Sequence, residues 1–359
     1  MAPTRGYSGA LTHKYNISRW IRILNNSHRS RHRLHHLSRI KSSVPRRKPS
    51  EKSREEEEIS QRMRLPKRII LVRHGESKGN LDGSAYTTTP DYKIPLTELG
   101  QNQARIAGQN ILQIVQSQSE SETENNWKVY FYVSPYERTR STLRKIGKSF
   151  NKKRIIGVRE ECRIREQDFG NFQVEERMKA IKQTREKFGR FFFRFPDGES
   201  AADVFDRVSS FLESLWRDIH MNRLQQDESE EEINLVIVSH GLAARVFLMK
   251  WFKWTVEQFE HLNNFRNCEV RVMQLGPGGE YSLAVHHSEE ELEEWGLSPE
   301  MISDQKWRVT ATRGDWNEKC SWYLDSFFDH LQHSSSEDDN DNGNDNCAAE
   351  VEVDEECKQ

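Results

Sequence analysis

Short apolar runs rich in β-branched and aromatic residues recur along the middle of the chain and predict β-strands. The runs at 68–73 and 233–240 are continuously apolar rather than alternating, as expected for strands that are covered on both faces. The other candidate strands are 129–134, 154–158, 268–275 and 281–287. A Gly-Pro-Gly-Gly sequence at 276–279 separates the last two strands and predicts a turn between them.

Amphipathic stretches fill the gaps between these strands and predict helices at 96–116, 135–150, 199–224 and 242–252. Thr97 is expected to cap the first helix, and Pro135 to occupy the first turn of the second. Helical spacing predicts one buried face on the first helix, with Leu99, Ile106, Ile111 and Ile114. It predicts another on the third, with Val204, Val208, Phe211, Leu212, Leu215 and Ile219. Alternating buried strands and helices favour an α/β fold, a three-layer α/β/α sandwich with a mostly parallel sheet.

Polar residues that suit phosphate chemistry follow three of the predicted strands. Arg73 and His74 come directly after the first strand, Arg138 begins the helix after the second, and His240 follows the fourth. Each of these residues alone is a weak indication of a phosphate site, since a single histidine after a strand is more often structural. The carboxyl ends of parallel strands meet at one edge of a sheet, so these side chains are expected to converge. Two guanidinium groups, two imidazoles and helix N-termini would then face one small volume, which suits a phosphoryl group.

The order of the motifs around these residues resembles the histidine phosphatase superfamily, in its phosphoglycerate mutase-like branch. The similar segments are LVRHGESKGN, PLTELGQNQA, SPYERTRST, RIREQDFGNFQ, FPDGES and IVSHGLAARVFL, which span roughly 67–250. The chain also resembles a group of plant phosphoglycerate mutase-like proteins.

This resemblance implies a role for each matching residue. His74 is expected to be the nucleophile that accepts the phosphoryl group, and Glu166 the proton donor. The nearby Glu160 and Glu161 are the alternatives if the alignment is shifted. Phosphate is expected to be held by Arg73, Asn80, Arg138 and His240, with Ser77 and Gly241 at the rim of the pocket.

The expected chemistry is phosphoryl transfer through a phosphohistidine. A neutral His74 attacks phosphorus, the arginines keep its imidazole unprotonated, and Glu166 donates a proton to the leaving alkoxide. Water then attacks the phosphoenzyme, with Glu166 now acting as the base. No metal and no cofactor is expected, because the arginines supply positive charge; a bisphosphoglycerate primer is needed only by a mutase.

The segment 171–200 bears on the choice between mutase and phosphatase. It is shorter than the basic insertion of the family's cofactor-dependent mutases, and Phe169 stands where those mutases tend to carry a tyrosine. Its cations form either a solvated helix face or a lid for an acidic substrate: Lys179, Lys182, Arg185, Lys187, Arg190 and Arg194. The leading prediction is a phosphatase acting on a small phosphorylated metabolite. The alternatives are a phosphoglycerate mutase of carbohydrate metabolism and a non-catalytic scaffold.

Charge divides the chain into distinct segments. Residues 1–50 carry nine Arg, three Lys and five His but no Asp or Glu, whereas the remainder carries 42 basic and 56 acidic residues. The leader with its charged linker, 1–64, is typical of an organelle transit peptide. The resemblance to plant proteins favours a chloroplast over a mitochondrion or the cytoplasm. A basic arm that binds nucleic acid or anionic lipid is the less favoured reading, so neither nucleic acid nor a membrane is an expected partner.

The enzyme domain is predicted at 65–287, followed by a C-terminal extension at 288–333 and an acidic tail at 334–359. The tail is expected to be disordered and could bind a protein partner. An aromatic stretch at 319–331 is expected to dock onto the domain rather than to face a partner. Five cysteines without metal or pairing patterns suggest free thiols in a reducing compartment. The oligomeric state has no signal in the sequence.

Overall fold

The computed structural model describes residues 65–117, 126–170, 173–224, 231–315 and 317. The predicted leader, the acidic tail and the aromatic stretch at 319–331 lie outside these residues. Six strands of the described part form one sheet: β1 (Arg68–Arg73), β2 (Trp127–Val133), β3 (Ile155–Glu160), β4 (Glu232–Ser239), β5 (Val270–Leu275) and β6 (Tyr281–Ser282). Their spatial order is β3-β2-β4-β1-β5-β6.

The first four strands in this order run parallel, and β5 and β6 are antiparallel to their neighbours. The predicted mostly parallel sheet is therefore confirmed. Arg73 at the end of β1 pairs with Ser239 at the end of β4, and Val133 at the end of β2 pairs with Val238. The carboxyl ends of these three strands consequently lie side by side.

The last strand is shorter than the predicted 281–287. Beyond Ser282, side chains take the backbone donors that a strand would give to its neighbour. Leu283 N–H donates to Oε1 of Gln305 at 2.9 Å, and Ala284 N–H donates to Oγ of Ser282 at 3.0 Å. The sheet ladder therefore stops there.

The helices in the described ranges cover both faces of the sheet. They are α1 (Lys78–Leu81), α2 (Ala85–Thr88), α3 (Glu98–Gln116), α4 (Glu137–Ile146), α5 (Glu175–Phe188), α6 (Ala201–His220), α7 (Gly241–Phe252), α8 (Val256–His261), α9 (Glu289–Glu294) and α10 (Pro299–Thr310). Alternate residues of β1 enter two different cores. Ile69 and Leu71 pack with α6 and α7. Ile70 and Val72 point to the opposite face of the sheet, where they pack with Ile111 of α3. This is the predicted three-layer arrangement.

The predicted buried face of α3 is partly wrong. Leu99 and Ile106 are 54% and 43% exposed, whereas Ile111 is buried. The buried stripe consists mainly of small residues: Gly100, Ala104, Ala107, Gly108, Ile111 and Val115. The helix approaches its neighbours too closely for large side chains, because a Cβ on Gly100 would lie 2.0 Å from the carbonyl oxygen of Glu76. An apolar periodicity misses a stripe that is defined by small size.

We expect Gly100→Ala to destabilise the protein by at least about 2 kcal/mol, because overpacking forces backbone shifts in an interior that cannot yield. Gly147→Ala is the matched control, since Gly147 has helical backbone angles and a Cβ there meets nothing within 4 Å. That change should be neutral or stabilise by up to about 1 kcal/mol. Urea unfolding of both variants measures the difference, and equal stabilities would refute the close approach of α3.

Helix starts are mostly where the sequence places them. Thr97 caps α3 as predicted, with its side chain accepting a hydrogen bond from Gly100 N–H. Pro135, however, lies outside α4, because Tyr136 is the N-cap and keeps an extended backbone. The six predicted apolar residues of α6 are all buried.

The described part of the C-terminal extension shares the main core. Leu292, Trp295 and Met301 belong to the same buried cluster as Ile69 of the central strand β1. None of the helices in the described ranges combines the length and apolar character that crossing a membrane requires.

Candidate active site

His74 lies directly beyond β1 with 3% of its surface exposed. Its Nδ1 atom lies 2.7 Å from the carbonyl oxygen of Gly75. A carbonyl oxygen can only accept, so Nδ1 carries the proton and the lone pair of the neutral ring is on Nε2. The Gly75 N–H donates to Oγ1 of Thr142 at 3.0 Å, which fixes this backbone. The local structure thus presets the tautomer that an Nε2 nucleophile needs.

His240 occupies the N-cap position of α7 beside His74, and the two ring centroids are 5.2 Å apart. Nε2 of His240 lies 2.7 Å from Oγ of Ser134, the residue after β2. Its Nδ1 atom is buried and has no hydrogen-bond partner among the described residues. If Ser134 donates to Nε2, then Nδ1 carries a proton and is available to an anion.

Two guanidinium groups accompany the histidines. Nη1 of Arg73 donates to the carbonyl oxygen of Phe265 at 2.5 Å. Nη1 of Arg138 donates to Asp91, to its backbone oxygen at 2.8 Å and to Oδ1 at 2.7 Å. The Arg138 guanidinium lies 4.7 Å from the ring centroid of Tyr136. Its Nε is buried without a partner among the described residues, so the side chain is held while one donor stays available.

Both imidazoles are held neutral. Burial lowers the pKa of His74 well below its ordinary value, and the positive charges of Arg138 and Arg73 lower this pKa further. Burial, followed by Arg138 and His74, likewise lowers the pKa of His240 well below its ordinary value. The direction for His74 is the one that the sequence predicts. His240 is not the imidazolium that would add a full charge, so its contribution to phosphate binding depends on its tautomer.

Glu166 is the predicted acid that lies near this cluster. Its charge acts directly on Arg73, and Oε1 accepts a hydrogen bond from Gln167 N–H at 3.0 Å. The two alternatives lie elsewhere. Glu160 pairs with Arg140 at 3.6 Å, and Oε2 of Glu161 lies 2.7 Å from Nη2 of Arg163.

The ionisation of Glu161 argues further against it. Burial opposes the charge of Glu161, but the hydrogen bonds from Arg163 and the charges of Arg163 and Arg159 together outweigh burial and lower the pKa of this carboxyl. An ionised carboxylate in a tight ion pair is a poor proton donor.

The residues predicted at the pocket rim have different surroundings. Ser77 is fully buried, and both its N–H and its hydroxyl donate to Oδ1 of Asn80, at 3.1 and 3.0 Å. The Nδ2 group of Asn80 is left for the cavity that this residue lines. Gly241 begins α7, and a Cβ there would lie 2.0 Å from Oδ1 of Asn264. Ser77 therefore orients Asn80, and Gly241 lets Asn264 lie against the start of the helix.

A cavity of about 620 Å³ is lined by Asn80, whereas its lining includes neither the two histidines, the two arginines nor Glu166. Its lining includes Gly79, Asn80, Tyr86, Phe169, Lys179 and Lys182. Among the segment's other cations, Arg190 lies 3.5 Å from Glu260 and Arg194 lies 2.6 Å from Asp203. Two lysines and Glu186 of α5 therefore line this cavity, and these two arginines serve local ion pairs.

The sequence reasoning missed several residues around the pocket. Asp91 holds Arg138, Ser134 holds His240, and the charges of Arg138, Asp91, Glu166 and Arg73 all act on Tyr86. Ser134 had a usable signal, since it directly follows β2, one of the strands whose carboxyl ends meet at the site. Tyr86 lies in the four-residue helix α2 and Asp91 in a three-residue 3-10 helix, which are too short to show a periodicity in the sequence. Among the described residues, no three or more His, Cys, Asp or Glu side chains are grouped to hold a metal ion.

Several known proteins are similar to this chain. The chain is 69% identical over 273 residues to the phosphoglycerate mutase-like protein AT74 of Arabidopsis thaliana, covering 76% of this chain and 85% of that protein. It is 34% identical over 293 residues to the broad-range acid phosphatase DET1 of Saccharomyces cerevisiae, covering 58% of this chain and 86% of that protein. A mycobacterial glucosyl-3-phosphoglycerate phosphatase structure matches with a TM-score of 0.45 and 23% identity, over 58% of this chain and 91% of that one.

The sequence profile of the histidine phosphatase superfamily, branch 1, matches residues 69–287. This range includes every residue that we place in the candidate active site. The chain belongs to the histidine phosphatase superfamily, in its phosphoglycerate mutase-like branch.

Proposed function

We propose that the protein is a metal-independent phosphomonoesterase that hydrolyses a small phosphorylated metabolite through a phosphohistidine at His74. One observation carries this proposal: Nδ1 of His240 and Nε of Arg138 are buried without a partner among the described residues, and His240 lies against His74 at the strand ends. Other buried polar atoms of the described residues also lack partners, so the grouping of these two beside His74 is what suits an anionic ligand. The acid phosphatase relative supports the same reaction class.

In the first step, Nε2 of His74 attacks phosphorus, a P–N bond forms, and the bond from phosphorus to the ester oxygen breaks. Glu166 gives its proton to the departing oxygen. Arg73 and Arg138 stabilise the charge on the equatorial oxygens. In the second step, water gives a proton to Glu166 and forms a bond from its oxygen to phosphorus. The P–N bond breaks with its electron pair returning to Nε2 of His74, which restores the neutral imidazole and releases inorganic phosphate.

Hydrolysis is favoured over mutase activity by the surroundings of Phe169. Its ring lines the cavity and packs edge-on against Phe195, with centroids 4.9 Å apart, so this position offers no hydroxyl to an acidic substrate. Lys179 and Lys182 keep the mutase as the second candidate, because their ammonium groups suit a substrate with a second anionic group. A scaffold role gains no support from an arrangement in which both histidines and both arginines are in place.

We expect the purified full-length chain to release phosphate from p-nitrophenyl phosphate in the presence of EDTA, at the rate seen without it. The guanidinium groups supply the charge stabilisation that a metal would otherwise provide. With 3-phosphoglycerate, inorganic phosphate should form whether or not bisphosphoglycerate is added. Activity that EDTA abolishes and Mg²⁺ restores would reject metal independence. Conversion to 2-phosphoglycerate only when the primer is present would identify a mutase.

The physiological substrate is best approached with a panel of sugar phosphates, phosphoglycerates and phosphopeptides. The size of the cavity and its two lysines favour the first two classes over a peptide. Location in a plastid stays a prediction, which a fluorescent fusion to residues 1–64 tests in plant cells.

A further inference from the structure

Arg207 of α6 makes an unusually complete set of hydrogen bonds next to Glu166. Its Nη1 donates to the carbonyl oxygens of Arg163 at 2.7 Å and Arg165 at 2.8 Å. Its Nη2 donates to the carbonyl oxygen of Glu166 at 3.0 Å and to Oε2 of Glu199 at 2.9 Å. Its Nε donates to Oε1 of Glu199 at 3.0 Å. A guanidinium has five N–H groups, so every donor of Arg207 is used.

The acceptors explain what this side chain does. Three backbone carbonyls from 163–166 point at one cation, although their partial charges repel one another. The 3-10 helix of this segment ends at Ile164, and Arg165 has an extended backbone, so regular structure does not fix the chain at Glu166. Ser239 adds one more contact, with its hydroxyl donating to the carbonyl oxygen of Ile164 at 2.7 Å. The position of Glu166 therefore depends on side-chain contacts from α6 and β4.

Glu199 holds the other side of the same segment. Its Oε2 accepts a hydrogen bond from Asp168 N–H at 3.0 Å, and its carbonyl oxygen accepts one from Nε2 of Gln167 at 2.7 Å. Burial acts to raise the pKa of Glu199, but Arg207, the Asp168 N–H and Arg165 together outweigh burial, so the pKa is lowered and the carboxylate stays ionised. The Arg207–Glu199 pair thus braces the chain before and after Glu166.

We propose that Arg207, paired with Glu199, is a positioning residue that sets the Glu166 carboxyl for proton transfer to the leaving oxygen. The inference rests on the proposed function, in which Glu166 is the proton donor. The hydrogen bond of the Glu166 carboxylate to Gln167 N–H lies within the braced segment itself, so that segment determines where the carboxylate points. Without Arg207, the fold can persist while the acid loses its alignment.

The leaving group separates this role from a merely structural one. A weakly basic phenolate departs without help, whereas a more basic one needs a proton from the acid. A misplaced acid therefore harms the two substrates unequally, while a misfolded protein harms them equally. The parameter kcat/KM covers the steps up to formation of the phosphohistidine, so it reports the departure of the leaving group.

The experiment measures kcat/KM on a series of substituted phenyl phosphates, from p-nitrophenyl to p-methoxyphenyl phosphate, with the full chain. Arg207→Met should lower kcat/KM by about 100-fold for the p-methoxyphenyl ester, but only about threefold for the p-nitrophenyl ester. Glu166→Gln should give the same steepened dependence on the leaving group. Adding Arg207→Met to Glu166→Gln should cost no more than about threefold further, because both changes remove one function.

Arg207→Lys tests the same idea if the methionine variant folds poorly, since lysine keeps the charge but has three donors instead of five. It should show a smaller loss with the same leaving-group dependence. Arg217→Met is the matched control, because Arg217 is an exposed arginine of the same helix that contacts Ser214. It should behave as the wild type.

An equal loss of kcat/KM across the series, or losses that multiply in the double variant, overturns the positioning role. His74→Ala, assayed in parallel, keeps the two proposals distinguishable. If His74→Ala is inactive while kcat/KM of Arg207→Met depends on the leaving group no more steeply than that of the wild type, only this inference fails. If it stays active, the proposed function itself fails.

Discussion

Replacing His74 by alanine should abolish hydrolysis of p-nitrophenyl phosphate, with kcat falling about 10⁴-fold or more. The covalent route requires a lone pair on Nε2, and the hydrogen bond from Nδ1 to Gly75 places it there. The neighbouring His240 does not provide a substitute, because its Nε2 faces Ser134 at 2.7 Å. Steady-state release of phosphate measures the effect.

His220→Ala is the control for this substitution. His220 is an exposed histidine at the end of α6, and its ring contacts Trp216. Its removal should leave kcat unchanged. Thermal melting should show that His74→Ala stays folded, since the backbone around His74 is held by Ser239 and Cys268 rather than by the imidazole. A folded His74→Ala protein with substantial activity would exclude His74 as the nucleophile.

Replacing Arg138 by methionine should lower kcat/KM by about 1,000-fold, because it removes a charged donor from the developing negative charge. It should also change the pH dependence. Arg138 lowers the pKa of His74, so its loss lets this pKa rise towards the ordinary value. The reaction needs the unprotonated imidazole, so activity should be lost at a higher pH than in the wild type as the solution is acidified.

Two further variants make this result specific. Arg138→Lys keeps the charge but loses the planar guanidinium, so its activity should fall. The pH below which its activity is lost should stay nearer to that of the wild type. Arg140→Met removes an exposed arginine of the same helix, 3.6 Å from Glu160. It should change neither kcat/KM nor the pH below which activity is lost. The electrostatic account would be disproved if Arg138→Met lost its activity at the same pH as the wild type, or at a lower pH.

The sequence was sufficient for residues whose position follows from strand order. Arg73, His74 and His240 stand where continuous apolar strands end, and parallel pairing brings those ends together. Arg138 follows the same rule through the first turn of α4. The motif resemblance then supplied Glu166, which no periodicity indicates.

Other contacts were beyond the sequence because they depend on distances across the fold. Arg207 follows Asp206 in an amphipathic helix and looks like an ordinary polar position, yet it meets a segment some 40 residues earlier in the chain. Asp91 reaches Arg138 from a three-residue 3-10 helix that has no signature in the sequence. The small-residue stripe of α3 escaped a method that searches for large apolar side chains. In each case the missing information is tertiary.

The most direct measurement is to trap the phosphoenzyme. The full-length chain is mixed with p-nitrophenyl phosphate, quenched in denaturant at alkaline pH to preserve the P–N bond, digested and analysed by mass spectrometry. We predict one phosphoryl group on the peptide that contains His74, with none beyond background in the His74→Ala control. A phosphoryl group on a different residue, or turnover with no phosphorylated peptide at any time point, would contradict the account.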